Sequence, residues 1–249
     1  MSILPLSVRL SVLISLLIIV FPSSASVVMT NTRVIYPSDA KERSVQLKNN
    51  DSFPNVVQVW TDINNSESTP ENADGPFVAL PAIFRIEPNR GQLFRLIYSG
   101  GELPKDRESL FYLNFLQIPP LSKDNAGENQ MLVMLKNRVK IFYRPVEIES
   151  NPDDVAKEIA FDVQYADAGI HLDVKNNAAF FASFVEAKIK SGKQELIIPI
   201  TMLEPKSNQL IDIQNQQFVI TYPMTIEFTL VNDYGGFVKS EYVIASAHH

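Results

Sequence analysis

The feature of this sequence that most constrains its fold is a succession of short runs rich in Val, Ile, Phe, Tyr and Thr, separated by Asn, Asp, Gly and Pro. Runs of this kind at this spacing are typical of the strands of a β-sandwich. The first half of the chain has them near residues 27–36, 43–49, 55–63, 77–86, 91–98, 109–118 and 129–144. The second half has them near residues 159–165, 169–175, 180–190, 194–199, 208–214, 224–231 and 237–245. The sequence therefore predicts an all-β protein with two sandwiches.

The boundary between the sandwiches is predicted in "PVEIESNPDD", residues 145–154, which has two prolines, four acids and few side chains suited to a core. The two domains then cover residues 26–148 and 149–249, and each length suits one immunoglobulin-like sandwich. Because the chain has no cysteine, no disulfide can brace either domain. Stability must come from two hydrophobic cores.

Residues 1–25 have the pattern of a cleaved secretory signal peptide. An early cation, Arg9, precedes an apolar stretch from Leu10 to Phe21, and a proline and small residues follow. We place the cleavage site after Ala25. The alternative is a membrane anchor, but about a dozen apolar residues are fewer than the roughly 20 that cross a bilayer. The pattern thus favours export of the mature chain.

The charge of the chain argues against nucleic acid as a partner. The formal net charge is −6, and it becomes −7 when the signal peptide takes Arg9 with it. A protein that neutralises phosphates needs a basic surface, and the mature chain is acidic.

The sequence also argues against an enzyme, a cofactor and a small-molecule substrate. Of three histidines, His171 lies in the strand-like "GIHLDV", where a surface position is expected. The other two, His248 and His249, are interpreted as a tail or the remnant of an expression tag. Metal ligands and a serine–histidine motif are therefore lacking. The acids of residues 147–154 lie in the boundary segment, and "YSGGELP", residues 98–104, is predicted to be a turn.

The apolar run "MLVML", residues 131–135, is harder to explain within one domain. If Leu132 and Met134 face the core of their own sandwich, then Met131, Val133 and Leu135 face outward. An exposed apolar strand is an aggregation hazard. Burying the three outward side chains would contribute on the order of 5 to 8 kcal/mol before the costs of association. The run therefore predicts a cover, either from the same chain or from a partner.

Directly after this run, "RVKIFYRP", residues 138–145, places Arg138, Lys140 and Arg144 on one face of a predicted strand. A basic face of this kind is most often simply solvated. The strand pattern alone does not distinguish a solvated basic face from a functional one.

Four stretches together resemble the PapD-like family of periplasmic pilus chaperones. "LPKDRESLFYLNFLQIPP", residues 103–120, is similar throughout to the signature segment of the family, and "RVKIFYRP" resembles its next strand. "NTRVIYP", residues 31–37, resembles the first strand, and "VNDYGG", residues 231–236, resembles a turn of the second domain. The resemblance spans both predicted domains in the expected order.

The resemblance implies two immunoglobulin-like sandwiches in a boomerang arrangement and a function without catalysis. Members of the family hold pilus subunits in the periplasm, lend each subunit a strand by donor-strand complementation, and pass it to an outer-membrane usher. The connection before residue 131 has about ten residues and no cysteine, which implies the short-loop class. A pilus subunit or adhesin is the first alternative and a secreted enzyme the second, and the free chaperone could also dimerise to cover its apolar run.

The resemblance also assigns residue roles. Arg33 and Lys140 are expected to bind the C-terminal carboxylate of the subunit, by charge-assisted hydrogen bonds. The donor residues are expected to be Met131, Val133 and Leu135. An ion network between the domains is expected from Glu108, Arg144 and Asp233, which leaves Arg138 as a solvated charge.

Overall fold

A computed structural model describes residues 26–121, 131–166, 169–215 and 217–246. The predicted signal peptide, residues 122–130 of the predicted connection and the terminal histidines lie outside the described residues. The strands of the first domain are β1 (Val27–Met29), β2 (Val34–Pro37), β3 (Arg43–Asn49), β4 (Asn55–Asp62), β5 (Phe77–Leu80), β6 (Ile83–Ile86), β7 (Gly91–Tyr98), β8 (Ser109–Ile118) and β9 (Leu135–Arg144). A short 3₁₀ helix, Pro70–Asn72, precedes β5.

The second domain opens with a 3₁₀ helix, Pro152–Glu158. Its strands are β10 (Ile159–Ala166), β11 (Gly169–Asn176), β12 (Ala182–Ser191), β13 (Gln194–Ile197), β14 (Met202–Leu203), β15 (Ser207–Ile213), β16 (Met224–Val231) and β17 (Phe237–Ile244). No helix in the described ranges is long and apolar enough to span a membrane.

Each domain is a pair of packed sheets. The first pairs strands in the order β1-β3-β7-β5 and in the order β2-β9-β8-β4-β6. The second pairs β10-β11-β15 and β13-β12-β16-β17, with β14 alongside β12. Alternate strand residues point inward, as β3 shows with Val45 and Leu47 buried between exposed neighbours. The all-β prediction is confirmed.

Two separate cores hold these sheets. One contains Leu47, Leu96 and Leu113, none of which has any exposed surface, and the other contains Leu172 and Ile189, which are equally buried. Both cores are made of aliphatic and aromatic side chains, which accounts for the stability of a chain without cysteine.

Several predicted strands have different bounds in the structure. The run 27–36 forms two strands in opposite sheets, β1 beside β3 and β2 beside β9. The run 77–86 divides into β5 and β6 at Pro81, because proline has no N–H to continue a ladder. The boundary segment also contributes more to a core than its composition predicts, since Ile148 packs against the second core.

Candidate functional site

Strand β9 carries the site because its two halves have different neighbours. Residues 141–143 lie between β8 and β2, and the pairing with β2 runs from Val34 opposite Ile141 to Pro37 opposite Arg144. Residues 135–140 pair with β8 alone among the described residues. The backbone of these six residues therefore presents an open sheet edge, which we call the donor edge. An open edge of this kind can accept a further strand.

The apolar run 131–135 precedes this edge and is exposed along its whole length. Met131 is 87% exposed and Val133 61%, while Leu135 is 49% exposed at the first position of β9. The alternation of β9 places Leu135 on the same face as Val139 and the buried Ile141. The exposed apolar side chains therefore continue the sandwich face of the strand beyond the end of the core.

The prediction that Leu132 and Met134 fill their own core is wrong. Leu132 is 38% exposed and Met134 is 50% exposed, and neither belongs to the core of the first domain. The reason is that strand pairing begins only at Leu135, so the preceding residues have no opposing sheet.

At the other end of the open edge, Arg33 and Lys140 come together. Arg33 immediately precedes Val34, and Lys140 precedes Ile141, which is the residue opposite Val34 in the parallel ladder. Arg33 donates from Nη1 to the carbonyl oxygen of Val231 at 3.1 Å, and its guanidinium lies over the ring of Phe142 at 5.5 Å. Its buried Nε has no hydrogen-bond partner among the described residues.

Neither cation of this pair forms a direct ion pair with a carboxylate among the described residues. Burial lowers the pKa of Lys140, and the nearby Arg33 guanidinium lowers it further. Burial likewise lowers the pKa of Arg33, although the carboxylates of Asp233 and Glu108 oppose that shift. Lys140 has no carboxylate within ion-pair distance in the described part of the chain. Two half-buried cations that lie close together have the chemistry to bind one anionic group by charge-assisted hydrogen bonds.

Arg144, four residues further along β9, lies in a different environment. Its Nη1 and Nη2 donate to the two carboxylate oxygens of Asp233 at 2.7 and 2.9 Å. Its Nε donates to Glu108 at 2.8 Å, and its guanidinium lies over the ring of Phe180 at 4.9 Å. Asp233 and Phe180 belong to the second domain, so Arg144 connects the two sandwiches.

Glu108 extends this network. Its side chain is almost fully buried, and Oε2 accepts a hydrogen bond from the backbone N–H of Phe181 at 2.9 Å. Burial raises the pKa of Glu108, and the charge of Arg144 offsets only part of that rise. For Arg144 itself burial lowers the pKa, but hydrogen bonding to Asp233 and the charge of Glu108 raise it overall. The carboxylates therefore hold the arginine charged inside the interface.

The prediction that Arg138 is a solvated charge is wrong. Its Nη2 lies 2.6 Å from Oδ1 of Asp62, a carboxylate with no exposed surface, and its Nε donates to Oδ2 at 3.2 Å. Its guanidinium stacks on Tyr112 at 3.4 Å from the ring centre. Sequence reasoning missed this pair because Asp62 lies 76 residues earlier, at the end of a strand on the same sheet face.

The histidine and one of the boundary acids considered in the sequence lie in exposed side-chain pairs. His171 is exposed on β11 and pairs with Asp212 of the neighbouring strand, as expected for a surface position. No cluster of metal-ligating side chains occurs within the described ranges. Asp154 pairs with the exposed Lys157 at 2.6 Å.

Two family models match the chain. The model described as "Pili and flagellar-assembly chaperone, PapD N-terminal domain" matches residues 26–149. The model described as "Pili assembly chaperone PapD, C-terminal domain" matches residues 154–242. Together they span both sandwiches.

Curated relatives and solved structures agree with these matches. The chain is 31% identical over 220 residues to the probable fimbrial chaperone YadV of Escherichia coli strain K12, covering 87% of this chain and 89% of the relative. It is 34% identical over 224 residues to chaperone protein HifB of Haemophilus influenzae, covering 86% of each. The crystal structure of the YadV chaperone superimposes with a TM-score of 0.73 at 29% identity, over 88% of this chain and 100% of that one. The SafB chaperone, solved in complex with the Salmonella enterica SafA pilin, shares the fold at 22% identity with a TM-score of 0.70, over 90% of this chain and 99% of that one.

Proposed function

The chain belongs to the PapD-like family of pilus-assembly chaperones, and from that premise we propose that it holds a pilus subunit by pairing it with the donor edge of β9. The family consists of non-enzymatic binding proteins whose fold is two immunoglobulin-like sandwiches in a boomerang arrangement. The chain is accordingly a chaperone for pilus subunits and not an enzyme.

The single observation that carries the proposal is the open edge of β9 with an exposed apolar run at its start. Backbone N–H and C=O groups along residues 135–140 give a subunit strand its hydrogen bonds, whatever the sequence of that strand. Met131, Val133 and Leu135 are the donor residues, whose side chains fill the groove that a missing strand leaves in the subunit core. Affinity thus comes from the backbone, and the fit comes from alternate side chains.

The cation pair gives the register. We infer that Arg33 and Lys140 bind the C-terminal carboxylate of the subunit, since the Nε of Arg33 and the ammonium of Lys140 have donors to spare. Lys140 lies nine positions after Met131, which is about 30 Å at the rise of a strand. A carboxylate fixed at one end of that length determines which subunit residues meet the donor side chains.

Several further properties belong to the proposal. We place the mature chain in the periplasm after removal of residues 1–25, and we assign it to the short-loop class. An outer-membrane usher receives the subunit, and a second copy of the chain covers the apolar run when no subunit is bound. The interdomain ions Glu108, Arg144 and Asp233 hold the two sandwiches in a fixed arrangement beside the Arg33–Lys140 pair.

Periplasmic co-purification tests the proposal. The chain is expressed with its signal peptide in a Gram-negative host carrying the matching pilus genes, and the bound protein is identified by mass spectrometry. We expect one pilus subunit per chain with the wild type and loss of most of it with Lys140→Met, which keeps the length of the side chain without its charge.

The matched control is Lys48→Met, at an exposed position of β3, which belongs to the other sheet from the one that carries Lys140. It is expected to retain the subunit at the wild-type level. Stable recovery of the subunit with Lys140→Met contradicts the role of the carboxylate anchor.

A further inference from the structure

The loop after β4 is bonded to the outer face of the donor strand, through side chains that the carboxylate anchor and the interdomain network do not use. We call residues 65–68 the strap. Lys136, the second residue of β9, donates from Nζ to the carbonyl oxygens of Ser66 at 2.7 Å and Ser68 at 3.1 Å. The strap thus contacts β9 one residue after the apolar run ends.

The buried carboxylate of Asp62, at the end of β4, is also hydrogen-bonded to the strap. Asp62 accepts hydrogen bonds from the backbone N–H of Asn65 at 2.8 Å and from the hydroxyl of Ser68 at 3.3 Å. It also accepts from Asn114 of β8 at 2.5 Å and from Arg138 of β9 at 2.6 Å. One carboxylate therefore connects the strap to three neighbouring strands.

The indole of Trp60 completes the arrangement. Its Nε1 donates to the hydroxyl of Ser68 at 2.8 Å, and the ammonium of Lys136 lies 6.0 Å from its ring centre. Ser68 is almost completely buried as a result. The strap is thus bonded to the sheet through the buried Ser68, the buried carboxylate of Asp62 and the ammonium of Lys136, and these bonds restrict its conformations.

The position of these bonds on β9 matters because the donor edge has only one neighbouring strand. A strand end paired on one side has less cooperative support than one paired on both and opens more readily. The strap restrains the same six residues through side chains on the sheet face at Lys136 and Arg138. It therefore leaves the backbone groups of the open edge free for a partner.

We propose that the strap is a preorganising device for subunit capture, with Lys136 and Arg138 as positioning residues that hold the empty donor edge in its extended conformation. This inference rests on the proposed function. Preorganisation would favour capture for an energetic reason. Ordering the edge before the subunit arrives removes that ordering cost from the binding step.

Hydrogen exchange of the free chain tests the strap without any subunit. In Lys136→Met, those backbone amides of residues 135–140 that point toward β8 are expected to exchange about fivefold faster than in the wild type, the ratio that corresponds to the loss of one net hydrogen bond. Amides of β12 in the second domain are expected to keep their rates. Lys136→Arg, which retains a donor, is expected to restore most of the protection.

Capture kinetics supply the functional half of the test, with the subunit recovered by co-purification as the probe. Lys136→Met is expected to slow association by about twofold or more and to leave dissociation unchanged, because a bound subunit strand then holds the edge itself. Lys48→Met is expected to match the wild type in both rates.

Three results would overturn the proposal: unchanged exchange at residues 135–140, acceleration that extends equally to β12, or faster edge exchange with unchanged association. Failure of the wild-type chain to capture any pilus subunit contradicts the proposed function instead, and the exchange measurement then decides the strap alone.

Discussion

Two arginine sites on neighbouring strands of one sheet show how differently the same fold treats a partly buried cation. Arg144, on β9, has two carboxylates and an aromatic ring around its guanidinium. Arg33, beside the start of β2, bonds one backbone carbonyl and has another cation, Lys140, as its neighbour. Both sites lie where the two sandwiches meet.

The different partners of these cations indicate different roles, one in the stability of the protein and the other in binding. A buried charge with its full set of partners holds two domains together, and removing one partner leaves another charge stranded. Two half-buried cations without a direct ion pair cost folding free energy, and a bound anion recovers part of that cost. Arg144 therefore serves the chaperone's own structure, whereas Arg33 and Lys140 are suited to a ligand.

The largest expected effect comes from breaking the compensated site. Arg144→Ala leaves the buried Glu108 and the nearby Asp233 without their cation, and we expect a loss of about 3 to 5 kcal/mol in the free energy of unfolding. Thermal and urea unfolding of the mature chain measure this loss.

The control for that variant is Arg95→Ala. Arg95 also forms an ion pair, with Glu42 at 3.0 Å, but both side chains are about half exposed. Its removal is expected to change stability by less than about 0.5 kcal/mol. Equal melting temperatures for Arg144→Ala and the wild type would show that the interdomain network is not a stabilising element.

A smaller effect is expected at Arg138, where a second arginine is compensated by a buried carboxylate. Arg138→Met removes the cation from Asp62 but leaves the donors from Asn114 and Asn65, so we expect a loss of about 2 kcal/mol. Adding Asp62→Asn should recover part of the loss, because the stranded charge is then gone. A double variant no more stable than Arg138→Met alone would contradict this account.

The lowered pKa of Asp62 determines how its contribution to the free energy of unfolding changes with pH. Burial by itself raises the pKa of Asp62, but hydrogen bonds from Arg138 and Asn114 lower it overall. The carboxylate therefore contributes stability above its unfolded pKa of about 3.9, and that contribution is lost as the pH falls through the lower folded value. The difference in the free energy of unfolding between the wild type and Asp62→Asn, measured by urea unfolding, should shrink in the same acidic range.

The smallest effect, and one of opposite sign, is expected at the uncompensated site. The pKa of Lys140 is lowered in the folded chain, so the ionised lysine costs stability while it remains protonated. Lys140→Met should therefore be at least as stable as the wild type near about pH 7. As the pH rises toward the unfolded pKa of about 10.4, the unfolded chain holds more protons than the folded chain. The free energy of unfolding of the wild type should therefore rise relative to that of Lys140→Met. A variant less stable than the wild type at neutral pH would place Lys140 among the structural cations.

Much of the fold was predictable from local pattern. The strands over residues 43–49, 91–98, 109–118 and 224–231 have the predicted bounds, because alternation and turn residues are properties of neighbouring residues. The division of residues 77–86 into two strands could have been predicted, because Pro81 has no N–H to continue the ladder. The split of residues 27–36 could not, since it depends on which sheet each half joins.

The sequence by itself determined the all-β class, the two domains and, through four short stretches, the family. Only the tertiary structure decided which cation on β9 is compensated. Asp62 lies 76 residues from Arg138 along the chain, and Glu108 and Asp233 lie 36 and 89 residues from Arg144. Lys140, between the two arginines, has no acid within reach among the described residues. Coulomb energy depends on distance and burial, and both are set by the packing of strands that are distant in sequence. The same packing lets β2 pair with β9 only from Ile141 onward, opposite Val34, and so leaves open the edge on which the proposed function rests.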